Sequence, residues 1–369
     1  MKLISLTIEH LQIPFNLSFS HASATRSQTD SVLIQAKTKN NIAYGESCPR
    51  SYVTNENYQS ALAFFNTYKA EIINSIIDLE SLKSWVKDHR NDIDNNPAAW
   101  CAIELALLDL LAKEQSSTVE ELLHLPKLSG SFCYTAVLGD NKLEQFSEIL
   151  KQHQTMGFTE YKIKLSGNLA HDKAKCVLLI EEIPNAKIRL DANNLWQNPN
   201  NVIEYIEALD HRFIALEEPL GVGDYKNLSS IYQQTGIKII LDESCLRLQH
   251  FDHLKDDFTP WIINVRISKM GGLLRSIELV NKAKQLAIPC IIGAQVGETS
   301  LLTRAALSLV NAHRNAVIAQ EGAYGTYLLQ HDIFEPIMIF DSAGKIDEKQ
   351  FNNLTTIGFG LQYTQADTI

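Results

Sequence analysis

The chain has 369 residues, 45% hydrophobic and 21% charged, an ordinary globular make-up and long enough for a barrel-sized domain beside a smaller one. Its 33 basic and 43 acidic side chains leave a net charge of −10 with no basic cluster. Nucleic acid and anionic membrane surfaces are thereby set aside as partners, since both need a concentrated positive face.

The first fifteen residues, MKLISLTIEHLQIPF, alternate apolar and polar letters and lack the unbroken apolar centre of a signal peptide. No run of about 20 apolar residues offers a membrane span, so a cytoplasmic protein is expected. Residues 3–8, 31–36 and 42–45 read as strands, with Asn40 and Asn41 in a turn and a Ser-, Ala- and Thr-rich loop over 18–29. From 57 to 113 the pattern turns helical. Its clearest helix runs from Pro97 to Glu114, with Trp100, Ile103, Leu107, Leu108 and Leu111 as its apolar contacts. Strands followed by helices, without alternation, predict an α+β domain over 1–115.

From about 130 to 340, short apolar strands alternate with amphipathic segments. The strand runs are 132–138, 160–165, 186–190, 214–216, 237–241, 262–267, 289–292 and 316–319. Eight such runs with a helix's length of chain between them predict an α/β fold, a (β/α) barrel; a doubly wound open sheet shares the alternation. The last stretch, 341–369, loses the alternation and is expected to pack back on the first domain. Six cysteines, at 48, 101, 133, 176, 245 and 290, include no close pair, so buried free thiols are expected rather than a zinc framework or a disulfide scaffold.

In a barrel, chemistry sits at the C-terminal ends of the strands. There the sequence places Lys162 and Lys164, then Asp191, Glu217, Asp242 and Lys269, at successive intervals from Lys164 of 27, 26, 25 and 27 residues. Near-constant spacing puts all of them at one height around one mouth. Three carboxylates from adjacent strands repel one another unless a cation joins them, and an all-oxygen donor set favours Mg²⁺. Lysines flank the acids on both sides. A lysine becomes a base only when neighbouring positive charge lowers its pKa, a role open to Lys162 and to the metal. Taken singly, Asp-x-Asn is commonly a helix cap and Lys-x-Lys an exposed strand face. Their joint register carries the functional reading.

These residues resemble the enolase superfamily, and within it the muconate lactonizing enzyme subgroup, a group that also holds dipeptide epimerases. Tyr161-Lys162-Ile163-Lys164, Leu190-Asp191-Ala192-Asn193, Leu216-Glu217-Glu218-Pro219, Leu241-Asp242-Glu243-Ser244 and the segment from Asn264 through Lys269 to Gly272 are similar to its signature elements. The helix carrying Glu104 and Asp109, and the Gly358-Phe359-Gly360 turn, match further family features. The resemblance implies an N-terminal capping domain over a (β/α)7β TIM-like barrel. It also implies Mg²⁺ on Asp191, Glu217 and Asp242, with Lys164 and Lys269 as acid and base and Lys162 helping to stabilise an enediolate. The expected function is abstraction of the α-proton of a small carboxylate substrate. Racemisation or epimerisation of a dipeptide or N-acyl amino acid leads. A cycloisomerase or lyase on a dicarboxylate uses the same scaffold. A barrel without catalysis would have lost a ligand or a lysine, and none is missing.

Candidate substrate contacts are His21, Arg26 and Tyr52 in the capping loops, with Asn193, Gln295, Glu298 and Glu321 around the mouth. Arg26 sits where dipeptide epimerases carry a substrate-contacting Arg. The segment 293–300 departs from the family's Gly-x-Met-x-Glu, and 318–324 lacks the Asp-x-Asp that holds an ammonium group, leaving Glu321 as a partial substitute. No nucleic acid and no membrane is expected as a partner, and a homo-oligomer is left open.

Overall fold

Alternating burial along the N-terminal residues raises β1 (Ser5–Leu11), with the hairpin β2 (Pro14–His21) and β3 (Ala24–Gln28) following it. β4 (Ser31–Lys37) and β5 (Ile42–Ser47) complete an antiparallel sheet of order β1-β4-β5. The computed structural model describes residues 1–21 and 24–364, with the side chains of 17–21, 24 and 25 outside the description. Helices α1 (Ser51–Thr54), α2 (Tyr58–Ser75), α3 (Leu79–Asp88), α4 (Arg90–Asn95) and α5 (Pro97–Glu114) come next. Asn57 and Asp78 start α2 and α3 with reciprocal capping boxes, which satisfy amides that the first turn leaves free.

Pro97 begins α5 with a fixed φ and no missing hydrogen bond, and every residue from 97 to 112 is buried. A helix apolar on all sides needs cover on all sides. The β sheet covers one face so closely that a Cβ on Gly45 would stand 1.9 Å from the carbonyl oxygen of Ala102. On another face Glu104 accepts the amide of Leu274 at 2.9 Å, and Asp109 accepts that of Phe359 at 2.8 Å.

The second sheet is parallel, eight strands in sequence order: β7 (Ala136–Leu138), β8 (Glu160–Lys164), β9 (Lys187–Asp191), β10 (Ala215–Glu217), β11 (Lys238–Leu241), β12 (Trp261–Val265), β13 (Cys290–Ile292) and β14 (Val317–Gln320). Thr135 donates its amide to the Gln320 carbonyl at 2.7 Å, bringing the first strand to the last. Ala215, Ile240, Ile262 and Ile291 form a buried apolar cluster of their own, as side chains filling the inside of a curled sheet do.

Three expectations need correction. The predicted strand 132–138 is two pieces: β6 (Phe132–Cys133) pairs antiparallel with β16 (Lys345–Ile346), and only β7 joins the parallel sheet. That pairing leaves Cys133 exposed, while the other five cysteines are buried as expected and all six are free. The predicted strand 262–267 stops at Val265, and Ile267–Met270 forms a short helix. β15 (Phe334–Glu335) pairs with β17 (Gln362–Tyr363), and Tyr363 stacks on Tyr44 of β5 at 4.3 Å. Among the described residues no helix is long and apolar enough to cross a membrane.

Candidate active site

Parallel pairing in register sets the site. Lys164 lies opposite Asp191, and Asp191 opposite Glu217, so three charged ends stand side by side on β8, β9 and β10. Lys162 and Lys164, two residues apart, share the inner face of β8. Lys164 Nζ donates to Asp191 Oδ2 at 2.8 Å and to Asn193 Oδ1 at 2.9 Å. Lys162 Nζ reaches Glu321 Oε2 at 2.7 Å, Glu217 Oε2 at 3.2 Å and Asp191 Oδ2 at 3.5 Å. On the far side Lys269 Nζ donates to Asp242 Oδ1 and to the Asp242 carbonyl, both at 2.7 Å, and to the Asn264 carbonyl at 2.6 Å. The short helix after β12 raises Lys269 to that height.

Asp242 stands just beyond β11, on a loop that Glu218 holds. Glu218 accepts the amides of Asp242 and Ser244, each at 2.7 Å, and the Ser244 hydroxyl at 2.8 Å. Its own φ of 39° lies in the left-handed region, a strained setting for a residue that carries a Cβ, which these three bonds keep in place.

Burial raises the pKa of the acids, and their neighbours then decide the outcome. For Asp191 burial is outweighed by Lys164 and Lys162, and for Asp242 by Arg266 and Lys269, so both fall below the usual carboxylate range. Glu217 is pushed up to about 7: burial leads, and repulsion from Asp191, Glu321 and Asp242 outlasts the help of Lys162. For Lys162 burial opposes the charge, but Glu217, Glu321 and Asp191 hold it strongly protonated.

The structure thus brings Lys162, Lys164, Asp191, Glu217, Asp242 and Lys269 together. Asn193, at a φ of 45°, joins them through Lys164. Gln295 accepts from Arg266 at 3.2 Å, and Glu298, half-buried, accepts the Gln295 backbone amide at 2.6 Å. Glu321 sits inside as a strut, its oxygens on Lys162 and, at 3.1 Å, on Arg189 Nη1. Arg26 pairs with Asp30 at 3.5 Å, Tyr52 is half-buried on α1, and the side chain of His21 lies outside the described residues. Sequence reading missed Arg189, Asn264, Arg266 and the holding role of Glu218. The signal was there: Arg189 precedes Asp191 by two, and Arg266 follows Asn264 by two, polar letters on the inner face of apolar strands.

Among the described residues no three acidic, His or Cys side chains converge closely enough to hold a metal as they stand, because lysine and arginine groups lie between the acids. The donor set nonetheless fits a hard divalent cation. Its members are buried carboxylates on neighbouring strands, and their mutual repulsion leaves Glu217 short of positive charge even with Lys162 beside it.

The chain is 25% identical to a hydrophobic dipeptide epimerase of Enterococcus faecalis over 85% of its own length and 88% of the relative's. It is 23% identical to an N-succinyl-L-Arg/Lys racemase of Bacillus cereus, covering 83% of each. A solved dipeptide epimerase from Enterococcus faecalis, in complex with Mg and the dipeptide L-Leu-L-Tyr, has the same fold, with a TM-score of 0.84 at 22% identity, covering 98% of this chain and 100% of that one. The relatives are dipeptide epimerases and racemases of the mandelate racemase and muconate lactonizing enzyme subgroup of the enolase superfamily. Residues 145–364 match the model of the enolase C-terminal domain-like family, and the chain belongs to that family.

Proposed function

We propose that the protein is a Mg²⁺-dependent isomerase that removes the α-proton of a dipeptide or N-acyl amino acid and returns it on the opposite face. One observation carries the reading: Lys164 and Lys269 reach the same row of carboxylates from its two ends, through Asp191 on β9 and through Asp242 beyond β11. Asp191, Glu217 and Asp242 would hold a magnesium ion, which when bound would supply Lewis-acid polarisation of the substrate carboxylate and so acidify the neighbouring C–H. One lysine, in its neutral form, takes the proton at Nζ; the other, as ammonium, gives one back. Lys162, held charged by the acids around it, places fixed positive charge where negative charge grows on the substrate.

Substrate choice is assigned to His21, Arg26 and Tyr52 of the capping domain, with Asn193, Gln295 and Glu298 of the barrel. Glu321 is not assigned a free ammonium group, since Lys162 and Arg189 already take its charge. Five buried free thiols support a reducing, cytoplasmic setting.

Dipeptides, N-acyl amino acids and muconate-like acids incubated in deuterium oxide with MgCl₂ test the reading. Deuterium is expected at the α-carbon with inversion for a member of the first two classes. Ring closure or elimination of a dicarboxylate instead would replace isomerisation with a cycloisomerase or lyase. Lys164→Ala and Lys269→Ala are each expected to abolish turnover while Mg²⁺ still binds; near-full activity in either removes that lysine from the chemistry.

A further inference from the structure

Arg266 has no part in the proton transfers, yet it lies against the carboxylates that surround them. It shares the inner face with Asn264, whose Nδ2 donates to Glu217 Oε1 at 2.8 Å. The guanidinium touches Asp242 Oδ2 through Nη2 and comes within 3.7 Å of Glu217 Oε1. Lys162 does the equivalent on the other half of the row, spanning Asp191 and Glu217. Two side-chain cations thereby join three acids that would otherwise repel one another. Their surroundings differ. Lys162 is anchored from behind by the carboxylate of Glu321, whereas the acceptor that Arg266 has outside the row is neutral: Nη1 donates to Gln295 Oε1, and Glu298 holds the Gln295 backbone amide in turn. The Nε of Arg266 is buried and unpartnered.

We propose that Arg266 is a resident counter-ion that a divalent cation must displace from Asp242 and Glu217, and that Gln295, with Glu298 behind it, is the seat to which the guanidinium withdraws. The inference rests on Asp191, Glu217 and Asp242 being the cation's ligands. A guanidinium brings one delocalised charge to the oxygens of Asp242 and Glu217, and a divalent ion brings two. Exchange is favoured only if the departing group keeps an acceptor, because a buried unpaired cation is costly, and Nη1 already has one in Gln295 Oε1. Arg266 therefore steadies the metal-free protein and tempers its affinity for the metal.

The test is MgCl₂ titration by calorimetry of wild type, Arg266→Met and Gln295→Ala, with melting temperatures in EDTA and in MgCl₂. The methionine keeps the stem and removes the charge. In EDTA the Arg266→Met protein is expected to melt earlier than wild type, and MgCl₂ to raise its melting temperature by more. Its Kd for Mg²⁺ is expected to be roughly tenfold tighter, the size of one modest electrostatic competitor lost. Gln295→Ala, which removes the seat, is expected to bind Mg²⁺ more weakly. An Arg266→Met protein that binds Mg²⁺ no tighter than wild type overturns the proposal. If that variant does not fold, Gln295→Ala decides, and unchanged affinity overturns it. Failure of both wild type and Arg266→Met to bind Mg²⁺ would instead bring down the ligand assignment itself.

Discussion

Glu321 shows how one side chain can brace a site from behind. Both its oxygens face cations that come from other strands, Lys162 on β8 and Arg189 on β9. Breaking such a buried pair by removing one partner leaves the others uncompensated, at about 3–5 kcal/mol. Glu321→Gln is therefore expected to lower stability by that order in denaturant unfolding; a change within experimental error would mean the strut is not needed. The six groups at the strand ends were legible in the sequence because they recur at nearly equal intervals. Arg189 and Arg266 were not read, although they sit two residues before Asp191 and three before Lys269. A single Arg within an apolar run has no spacing of its own, and only the pairing of strands shows which acid it meets. Gln295 and Glu298 were named as contacts of a ligand; the protein groups they meet are Arg266 and each other, which only the folded structure reveals.

At the scale of elements, α5 and β5 meet at Gly45, where the absent side chain lets sheet and helix backbones approach. Gly45→Ala would drive a methyl group into the helix at Ala102 and Ala106. Overpacking of this kind costs about 1–3 kcal/mol and here can be relieved only by moving backbone, so a loss at or above that range is expected from chemical unfolding. An unchanged midpoint would show that the two elements separate freely. The parallel strands were legible because their apolar runs are short and evenly spaced. Two boundaries were not. Apolar letters continue past Val265 into Ile267, and nothing local says that the strand becomes a helix there; the two glycines that follow, Gly271 and Gly272, both with positive φ, end that helix. Likewise Phe132 and Cys133 read as one run with 136–138, because their partner, β16, is more than two hundred residues further along the chain.

For the whole molecule, the junction between the capping sheet and the barrel is held by an acid that prefers to be neutral. Glu46 of β5 is fully buried and accepts both the amide and the hydroxyl of Thr299, ahead of the helix Ser300–Ala312. Burial, with Glu298 and Asp332 nearby, raises its pKa from 4.5 to about 8. A carboxyl whose pKa is raised on folding binds its proton more tightly in the native state. Its contribution is full below about 4.5 and is lost as pH rises through about 8. Glu46→Gln, which cannot ionise, is expected to lose less melting temperature than wild type between those limits; identical slopes would place the pH dependence elsewhere. None of this was legible in the sequence, where Glu46 looks like any acid at the end of an exposed strand.

The all-buried helix α5 carries a consequence for how the protein can change. Through Glu104 it grips the loop that follows Lys269, whereas the loop after Lys164 is braced within the barrel by Asp172, and Lys175 holds the Lys164 carbonyl. The two amines therefore hang from different frameworks, one geared to the capping lid, to which we assign the choice of ligand, and one braced apart from it. Remodelling the lid for a new ligand tugs on one hand of a two-handed device and leaves the other where it was.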